Sequence, residues 1–453
     1  MPSPGSDRIG HAAFALSAFR PARPWLLAAV LTGAVSVPVH GVAAALAASE
    51  QRVVAAAAAE TPRSIELLEK LVNINSGTLN LEGVKRVADV MRGELEPLGF
   101  KVRWEPMTDI GRAGTLVAEH PGTGRGKRIL LIGHMDTVFE KSSPFQTFVR
   151  RGDEAEGPGV NDMKDGLSIM VAALRAMKAA GTLSRAHITI VLSGDEEWVG
   201  RPLSVARRDM LAAASRSDVA LEFEALAQEG GRDMGTVARR SYTGWVLNVT
   251  AESGHSSGVF SDAAGFGAGY EMARIIDAFR QEARETNATF NVALFAGGAT
   301  AKIDGDSAAA SGKGNIIPAA AVATGDLRTL SNEQTERIEE KMRAIVARSL
   351  PRTKAQISFE DEYPAMAPTA GNRALLALLN EVNRDAGLQV MGELDPLRRG
   401  AGDIAFVADK VDALVGFGAA GSGSHAPGET VDLTSFDRQI KRAALLVGRL
   451  SKP

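Results

Sequence analysis

A histidine and an aspartate two residues apart follow a strongly apolar run in the first third of the chain. Residues 129–132 (Ile-Leu-Leu-Ile) lead through a glycine to His134, and Asp136 comes two positions later. Side chains at positions i and i+2 of an extended segment point the same way, so Asp136 can hold one ring nitrogen of His134 while the other faces a metal ion. The alternative is a buried His–Asp hydrogen bond of purely structural value.

Two acidic segments follow other apolar runs. Asp162 comes after a Gly-Pro-Gly segment at residues 157–159, at a strand end where open α/β sheets place their ligands. Asp195, Glu196 and Glu197 are adjacent carboxylates that repel one another, so a bound cation explains them better than none. Because neighbours on an extended chain point in opposite directions, Glu196 and Glu197 would divide metal binding and proton transfer between them. The alternatives are a helix cap by Asp162 and a solvated acidic loop.

Two more candidate ligands lie further along the chain. Glu222 and Glu224 end another apolar strand, and position alone does not choose between them. His425 lies in a Gly- and Ser-rich loop, where a histidine is commonly incidental. The chain has no cysteine, so any metal must be held by His, Asp and Glu, a set that suits hydrolytic zinc.

Strands and helices alternate over the first half of the chain, which predicts βαβ units and a mainly parallel sheet. Thr61-Pro62 predicts the start of a helix, since proline is favoured at the first helical position. Further helices are expected at residues 83–97 and 166–180. The predicted extended segments cover residues 100–104, 115–119, 128–137, 187–192 and 219–223.

The pattern changes near residue 235 to strand–helix–strand–strand–helix–strand, a split βαβ layout that is typical of ferredoxin-like α+β folds. The parallel-sheet style returns after Pro364. We therefore predict an α/β catalytic domain that is split in sequence by a smaller inserted domain. The predicted boundaries are residues 1–49 for a signal peptide, 50–240 and 363–453 for the two parts of the catalytic domain, and 241–362 for the insertion.

The amino-terminal segment has the order of a secretory signal. Arg8, Arg20 and Arg23 precede an apolar run at residues 25–37, and small residues at 45–47 offer a cleavage site. The run is too short to span a bilayer comfortably, so we expect a secreted or periplasmic protein without a membrane span after processing. An uncleaved anchor is the alternative. The formal net charge of −3 and the lack of a basic stripe argue against nucleic acid as a partner.

Together these motifs resemble those of the co-catalytic di-zinc exopeptidases, the family of glutamate carboxypeptidase, aminoacylase and succinyl-diaminopimelate desuccinylase. The resemblance covers residues 60–450 and is strongest to the exported, folate-cleaving type of glutamate carboxypeptidase. It implies that His134 and Glu224 bind one zinc, that Glu197 and His425 bind the other, and that Asp162 bridges the two.

The resemblance also implies that Asp136 orients His134 and that Glu196 is the general base. Cobalt or manganese are alternative metals, because imidazole and carboxylate sites accept them as well. The peptide after the bridging aspartate is commonly cis in the family, and here it joins Asp162 to Met163.

In the insertion, His255 resembles a lid histidine that reaches into the partner subunit's site, which implies a homodimer through this domain. Asn315 and Arg328 resemble residues that bind the substrate carboxylate, and Gly402 resembles part of a Gly-rich turn near the substrate. Residues 361–363 (Asp-Glu-Tyr) depart from the folate-cleaving enzymes, which have arginines before the corresponding proline.

The function that this resemblance implies is zinc-dependent hydrolysis of an amide bond next to a free carboxylate in a small peptide. Alternative activities are those of an aminoacylase or deacylase of N-acyl amino acids, or of a dipeptidase. A mononuclear zinc enzyme is a further alternative. A non-catalytic binding protein would be expected to lack a ligand or the base, and neither is missing.

Overall fold

The structure, a computed structural model, describes residues 46–453, with residues 361 and 362 described by their backbone alone. The predicted secretory signal therefore lies almost wholly outside the described residues. Within the described part of the chain, no helix is both long enough and apolar enough to cross a membrane.

Six strands form the central sheet, and the predicted mainly parallel arrangement is confirmed. Four neighbouring strands are parallel, and two more extend one side in antiparallel fashion. The spatial order is Lys101–Met107, Arg112–His120, His187–Ser193, Arg128–His134, Val219–Glu222 and Asp412–Val415.

The strand Arg128–His134 lies inside this sheet, which explains its continuous apolar run. Ile129 and Leu131 pack into one hydrophobic core, whereas Leu130 and Ile132 pack into another. A strand with a core on each face needs apolar residues at every position. The register pairs His134 with Ser193 and Ile132 with Glu222, so the acidic segments that follow these strands begin at one edge of the sheet.

Most of the helices pack against the central sheet, and Leu81–Leu95 and Lys164–Ala179 lie within two residues of the helices predicted at 83–97 and 166–180. The larger ones are Ala48–Val72, Leu81–Leu95, Lys164–Ala179, Ala370–Asp385 and Ser435–Leu450, and the shorter ones are Leu203–Ala206 and Arg208–Ala214.

The prediction that the first helix starts at Pro62 is wrong, because the helix begins at Ala48 and Pro62 lies inside it. The alanine-rich residues 54–59 have high helix propensity. Val53 and Ala57 are also buried in the core, so packing extends the helix upstream of the proline.

The second sheet is antiparallel and has the predicted α+β layout. Its first three strands are, in spatial order, Thr353–Tyr363, Tyr242–Ala251 and Ala320–Arg328. Two short strands, Thr289–Phe290 and Leu294–Gly298, both pair with the free edge of Ala320–Arg328. Helix Gly267–Ala278, a π-helical turn Phe279–Ala283 and helix Asn332–Val346 cover one face. Trp245, Phe279 and Met342 share the core between them. The domain boundaries given above remain predictions.

Smaller sheets complete the chain. One contains Val149–Arg151, Glu154–Glu156, Thr430–Asp432 and Gly421–Ser422, and it ties the loop of His425 to the segment before Asp162. A hairpin of Thr300–Asp304 and Ser307–Ser311 was not predicted. A three-stranded sheet contains Ala227–Glu229, Arg232–Gly235 and Gly392–Glu393. A two-stranded sheet pairs Gly254–His255 with Ile316–Ile317.

Candidate active site and metal centre

Asp162 lies between two histidines that come from distant parts of the chain. Its Oδ1 is 3.1 Å from Nε2 of His134, and its Oδ2 is 3.1 Å from Nε2 of His425. Oε2 of Glu197 is also 3.1 Å from Nε2 of His425. The structure thus brings together four of the five predicted metal ligands, with the one carboxylate placed to contact both imidazoles.

Glu224, the fifth predicted ligand, lines the same cavity but contacts an arginine. Its Oε1 is 2.6 Å from Nη1 of Arg239. Glu222 is 1% exposed and accepts hydrogen bonds from the Arg239 guanidinium and from the backbone N–H of Ile404. Of the two candidates that the sequence left open, Glu224 is therefore the one that faces the cavity.

Asp136 is fully buried, and its contacts fix the positions of neighbouring residues of the site. The Nδ1 atom of His134 lies 3.1 Å from the carbonyl oxygen of Asp136 and 3.5 Å from its Oδ1. The same carboxylate accepts hydrogen bonds from the backbone N–H groups of Glu196 and Glu197, at 3.0 and 3.1 Å, and from the hydroxyl of Thr78 at 2.7 Å. Asp136 consequently positions both the imidazole and the acidic loop.

Glu429, which the sequence did not reveal, fixes the loop that carries Asp162. Its carboxylate accepts hydrogen bonds from the backbone N–H groups of Gly159, Asn161 and Asp162, at 3.1, 2.7 and 2.9 Å. The peptide bond between Asp162 and Met163 is cis, in line with the resemblance. Glu429 belongs to the segment between His425 and the strand Thr430–Asp432, so one segment positions two candidate ligands.

The charge of the cluster favours a bound cation. Burial and repulsion from Glu197 and Glu224 raise the pKa of Glu196 well above its usual range, although His134 opposes this shift. Burial and Asp162 raise the pKa of Glu197 to about 7. His134, Asp162 and Glu197 each offer a ligand atom, and these atoms lie within 4.8 Å of one another. A divalent cation among them would offset the repulsion, so the donor set fits a metal.

The cluster opens into a cavity of about 560 Å³. Carboxylates, His425 and four arginines line it. Tyr242 and Arg328 come from the second sheet, so the cavity lies between the two sheets. The charged residues that line it are Asp162, Glu196, Glu197, Glu224, Arg239, Arg328, Arg398, Arg399 and His425.

Arg239 is a second residue that sequence reasoning missed. Its Nη1 contacts both Glu222, at 2.9 Å, and Glu224. Its Nε donates to the carbonyl oxygen of Gly400 at 2.9 Å, and its Nη2 donates to that of Ala401. Burial opposes the charge of Arg239, but the two carboxylates outweigh it and raise its pKa. Arg239 therefore joins Glu222 and Glu224 to the loop at residues 400–401.

The predicted substrate residues are distributed unevenly around the cavity. Arg328 lines it, with Nε 2.7 Å from Oδ2 of Asp326 and its guanidinium 4.8 Å from the ring centroid of Tyr242. Gly402 is not among the lining residues and lies against the guanidinium of Arg239. Within the described part of a single chain, neither Asn315 nor His255 lines the cavity. Both are exposed, and their roles remain predictions.

Replacing Gly402 by alanine is expected to destabilise the protein by about 1–3 kcal/mol, since an added Cβ would lie 2.2 Å from Nη1 of Arg239. The φ of Gly402 is 178°, so lack of space rather than backbone strain excludes a side chain. The midpoint of urea unfolding measures the effect. Gly93→Ala is the matched control, because no atom lies within 4 Å of its ideal Cβ and alanine favours the helix. Equal midpoints for the two variants would contradict this account.

Comparisons with known proteins agree with this arrangement. The family described as Peptidase family M20/M25/M40 matches residues 130–449. Carboxypeptidase G2 of Pseudomonas sp. (strain RS-16) is 28% identical over 406 residues, which cover 86% of this chain and 90% of that protein. Succinyl-diaminopimelate desuccinylase of Novosphingobium aromaticivorans is 29% identical over 199 residues, 42% of this chain and 51% of that enzyme.

A solved structure shares the fold. The YXEP protein of Bacillus subtilis, described as a dinuclear metal-binding peptidase of the M20 family, superimposes with a TM-score of 0.58 at 16% identity. The match covers 86% of this chain and 98% of that one. The resemblance drawn from the sequence motifs is thereby confirmed at the level of family and fold.

Proposed function

Because the chain belongs to peptidase family M20/M25/M40 and is a metallopeptidase, we propose that it is a di-zinc exopeptidase. It would cleave an amide bond next to a free carboxylate in a small peptide. The likeness to carboxypeptidase G2 over 90% of that protein supports this substrate class. N-acyl amino acids and dipeptides are the alternative substrates.

The observation that carries the proposal is the position of Asp162 between two imidazoles, with Glu196 in the same cavity. His134, Asp162, Glu197, Glu224 and His425 would hold the pair of zinc ions. When bound, the metals would polarise the scissile carbonyl and lower the pKa of the attacking water.

Glu196 has the properties of a general base. Its backbone N–H donates to Asp136, and its carbonyl oxygen accepts a hydrogen bond from the hydroxyl of Tyr363, so its main chain is held on both sides. Among the described residues, none hydrogen-bonds to its carboxylate, which is left to accept the proton of the attacking water. The same carboxyl would then give this proton to the leaving amine.

The arginines that line the cavity favour a substrate with a free carboxylate. Guanidinium groups bind carboxylates through paired N–H donors, and Arg328 faces the cavity from the second sheet. A carboxylate that must sit beside the scissile bond restricts cleavage to the end of a peptide. This requirement supports exopeptidase rather than endopeptidase action.

His255 does not line the cavity within its own chain; its side chain is exposed, and its Nδ1 lies 2.8 Å from the hydroxyl of Ser257. We therefore extend the proposal to a homodimer in which His255 steadies the oxyanion in the partner's site. A mass of one chain by light scattering would contradict the dimer. We also propose that the protein is exported, because its amino-terminal segment has the residue order of a secretory signal.

Metal removal and reloading test the proposed function. Protein treated with chelator should contain no zinc and hydrolyse nothing, and reloading with zinc, cobalt or manganese should restore activity. Elemental analysis should find about two zinc ions per chain, whereas one would favour a mononuclear enzyme. The substrate panel would contain N-acyl amino acids, dipeptides, longer peptides and folates, with products separated by HPLC. Absence of hydrolysis across the panel, or cleavage only at internal bonds, would refute the proposal.

A further inference from the structure

Glu196, the proposed general base, has a carboxylate that is not hydrogen-bonded to any described residue. The position of this carboxylate therefore depends on how firmly the main chain of residues 195–197 is held. The carboxylate of Asp136 accepts the N–H groups of Glu196 and Glu197 at 3.0 and 3.1 Å. These bonds fix the N–H groups of the segment, but its carbonyl oxygens need other partners.

The carbonyl oxygen of Glu196 is held by Tyr363, which belongs to the second sheet. Tyr363 is the last residue of the strand Thr353–Tyr363, and its hydroxyl donates a hydrogen bond to that oxygen. The two residues are 167 positions apart in sequence, and both line the cavity. This hydrogen bond is a direct link between the second sheet and the main chain of the base.

Arg207, which is 1% exposed, supports both partners of this bond. Its Nη1 donates to Oδ1 of Asp195 at 2.7 Å, and its Nη2 donates to the carbonyl oxygen of Asp195 at 3.2 Å. The same Nη2 is 3.4 Å from the hydroxyl oxygen of Tyr363. A guanidinium N–H that points at a hydroxyl oxygen polarises the hydroxyl and strengthens the bond that it donates. The contact with Glu196 is therefore part of a buried network.

The ring of Tyr363 is held independently of its hydroxyl. Its centroid lies 5.1 Å from that of Phe406, and the guanidinium carbon of Arg207 lies 5.2 Å from the Phe406 ring. The side chain is thus ordered by packing, so its hydroxyl makes the bond at little further cost in conformational entropy. A phenylalanine at this position would keep the packing and lose only the hydrogen bonds.

The strand pairing places Tyr363 beside residues that line the cavity. Tyr242 lies directly opposite Tyr363 in the sheet register. The guanidinium of Arg328 lies 4.8 Å from the ring centroid of Tyr242, and both of these residues line the cavity. The part of the second sheet that faces the substrate therefore adjoins the residue that holds the base.

We propose that Tyr363 is a positioning residue for Glu196. Its hydroxyl, supported by Arg207, fixes the main chain of the base and thereby sets where the free Glu196 carboxylate lies relative to the metal site. Through this bond the second sheet contributes to proton transfer as well as to the lining of the cavity. The inference rests on the proposed function, in which Glu196 is the general base.

The Tyr363→Phe variant tests this role on the best substrate of the panel described above. We expect kcat to fall by about 10- to 100-fold, because a small displacement of a catalytic group is enough for such a loss. KM and metal content should stay at their wild-type values, since Asp136 still holds the N–H of Glu197. Tyr270→Phe is the matched control, because it removes the hydroxyl of an exposed tyrosine outside the cavity and should match wild type.

A double-mutant cycle with Glu196→Gln distinguishes positioning of the base from a general structural role. If Tyr363 acts through the Glu196 carboxylate, Tyr363→Phe should cause no further loss of kcat in the Glu196→Gln background. The same fold-loss in both backgrounds would overturn the inference, as would wild-type kcat or loss of metal in Tyr363→Phe alone. Full activity in Glu196→Gln would instead refute the general base of the proposed function, and the inference with it.

Discussion

The Glu196→Gln variant is expected to lose about 10²–10⁴-fold in kcat while it binds metal as tightly as the wild type. Glutamine has the same shape but cannot accept the proton of the attacking water. Glu196 lines the same cavity but is not one of the three residues, His134, Asp162 and Glu197, whose ligand atoms lie within 4.8 Å of one another. Steady-state kinetics on the metal-loaded protein, together with its metal content, measure both halves of this expectation.

Glu197→Gln is the matched control, because it changes the adjacent residue by the same chemistry. Glu197 contacts His425 at 3.1 Å, so its variant should lose metal as well as activity. The pair of variants therefore distinguishes proton transfer from metal binding at neighbouring positions. More than a tenth of wild-type kcat in metal-replete Glu196→Gln would show that Glu196 is not the base.

The acidic half of the site was predictable because it follows from the sheet. Parallel strands end at one edge, and the continuous apolar run before His134 marks a strand with a core on each face. The segments after neighbouring strands must then meet, which places Asp136 beside Glu196 and Glu197. Position along a strand was not enough to choose between Glu222 and Glu224. That choice depends on how the chain turns after the strand and on Arg239.

The residues that hold the site in place were not predictable from local patterns. Glu429 is 267 residues from Asp162 in sequence, yet it accepts the N–H of that residue. Arg239 and Arg399 each belong to an Arg–Arg pair in an irregular segment, where solvated surface residues are the usual interpretation. Their burial and their partners arise only when distant loops pack together, so no spacing rule identifies them.

Outside the site, local sequence signals predicted one helix start wrongly, and one hairpin was not predicted. Proline at position 62 indicated a helix start, but burial of Val53 and Ala57 outweighed it. The hairpin of Thr300–Asp304 and Ser307–Ser311 was missed, although the Gly305-Asp306 pair between its strands is a known hairpin signal and Gly305 has a φ of 56°. Tertiary packing outweighed the local signal at the helix start, whereas at the hairpin the local turn signal agrees with the structure.

The Asp162→Ala variant is expected to bind fewer than two metal ions and to lose more than about 10²-fold in activity, a greater loss than removal of an outer partner produces. Each carboxylate oxygen of Asp162 is 3.1 Å from a different imidazole, so this one substitution would affect both of the proposed metal positions. Elemental analysis after gel filtration gives the stoichiometry. A variant that keeps two ions per chain would show that Asp162 is not the bridge.

Glu429→Gln provides a graded comparison, because it weakens the support of Asp162 without removing a ligand. Its carboxylate holds three backbone N–H groups of the loop, so we expect the 10- to 100-fold loss in metal affinity that is typical of outer partners. Thermal stability gives an independent readout. Metal at about 100 times its Kd stabilises the folded protein by about 2.7 kcal/mol, and this gain should shrink in Glu429→Gln and largely vanish in Asp162→Ala. The order wild type, Glu429→Gln, Asp162→Ala therefore tests whether metal affinity depends on Asp162 and on the loop that positions it.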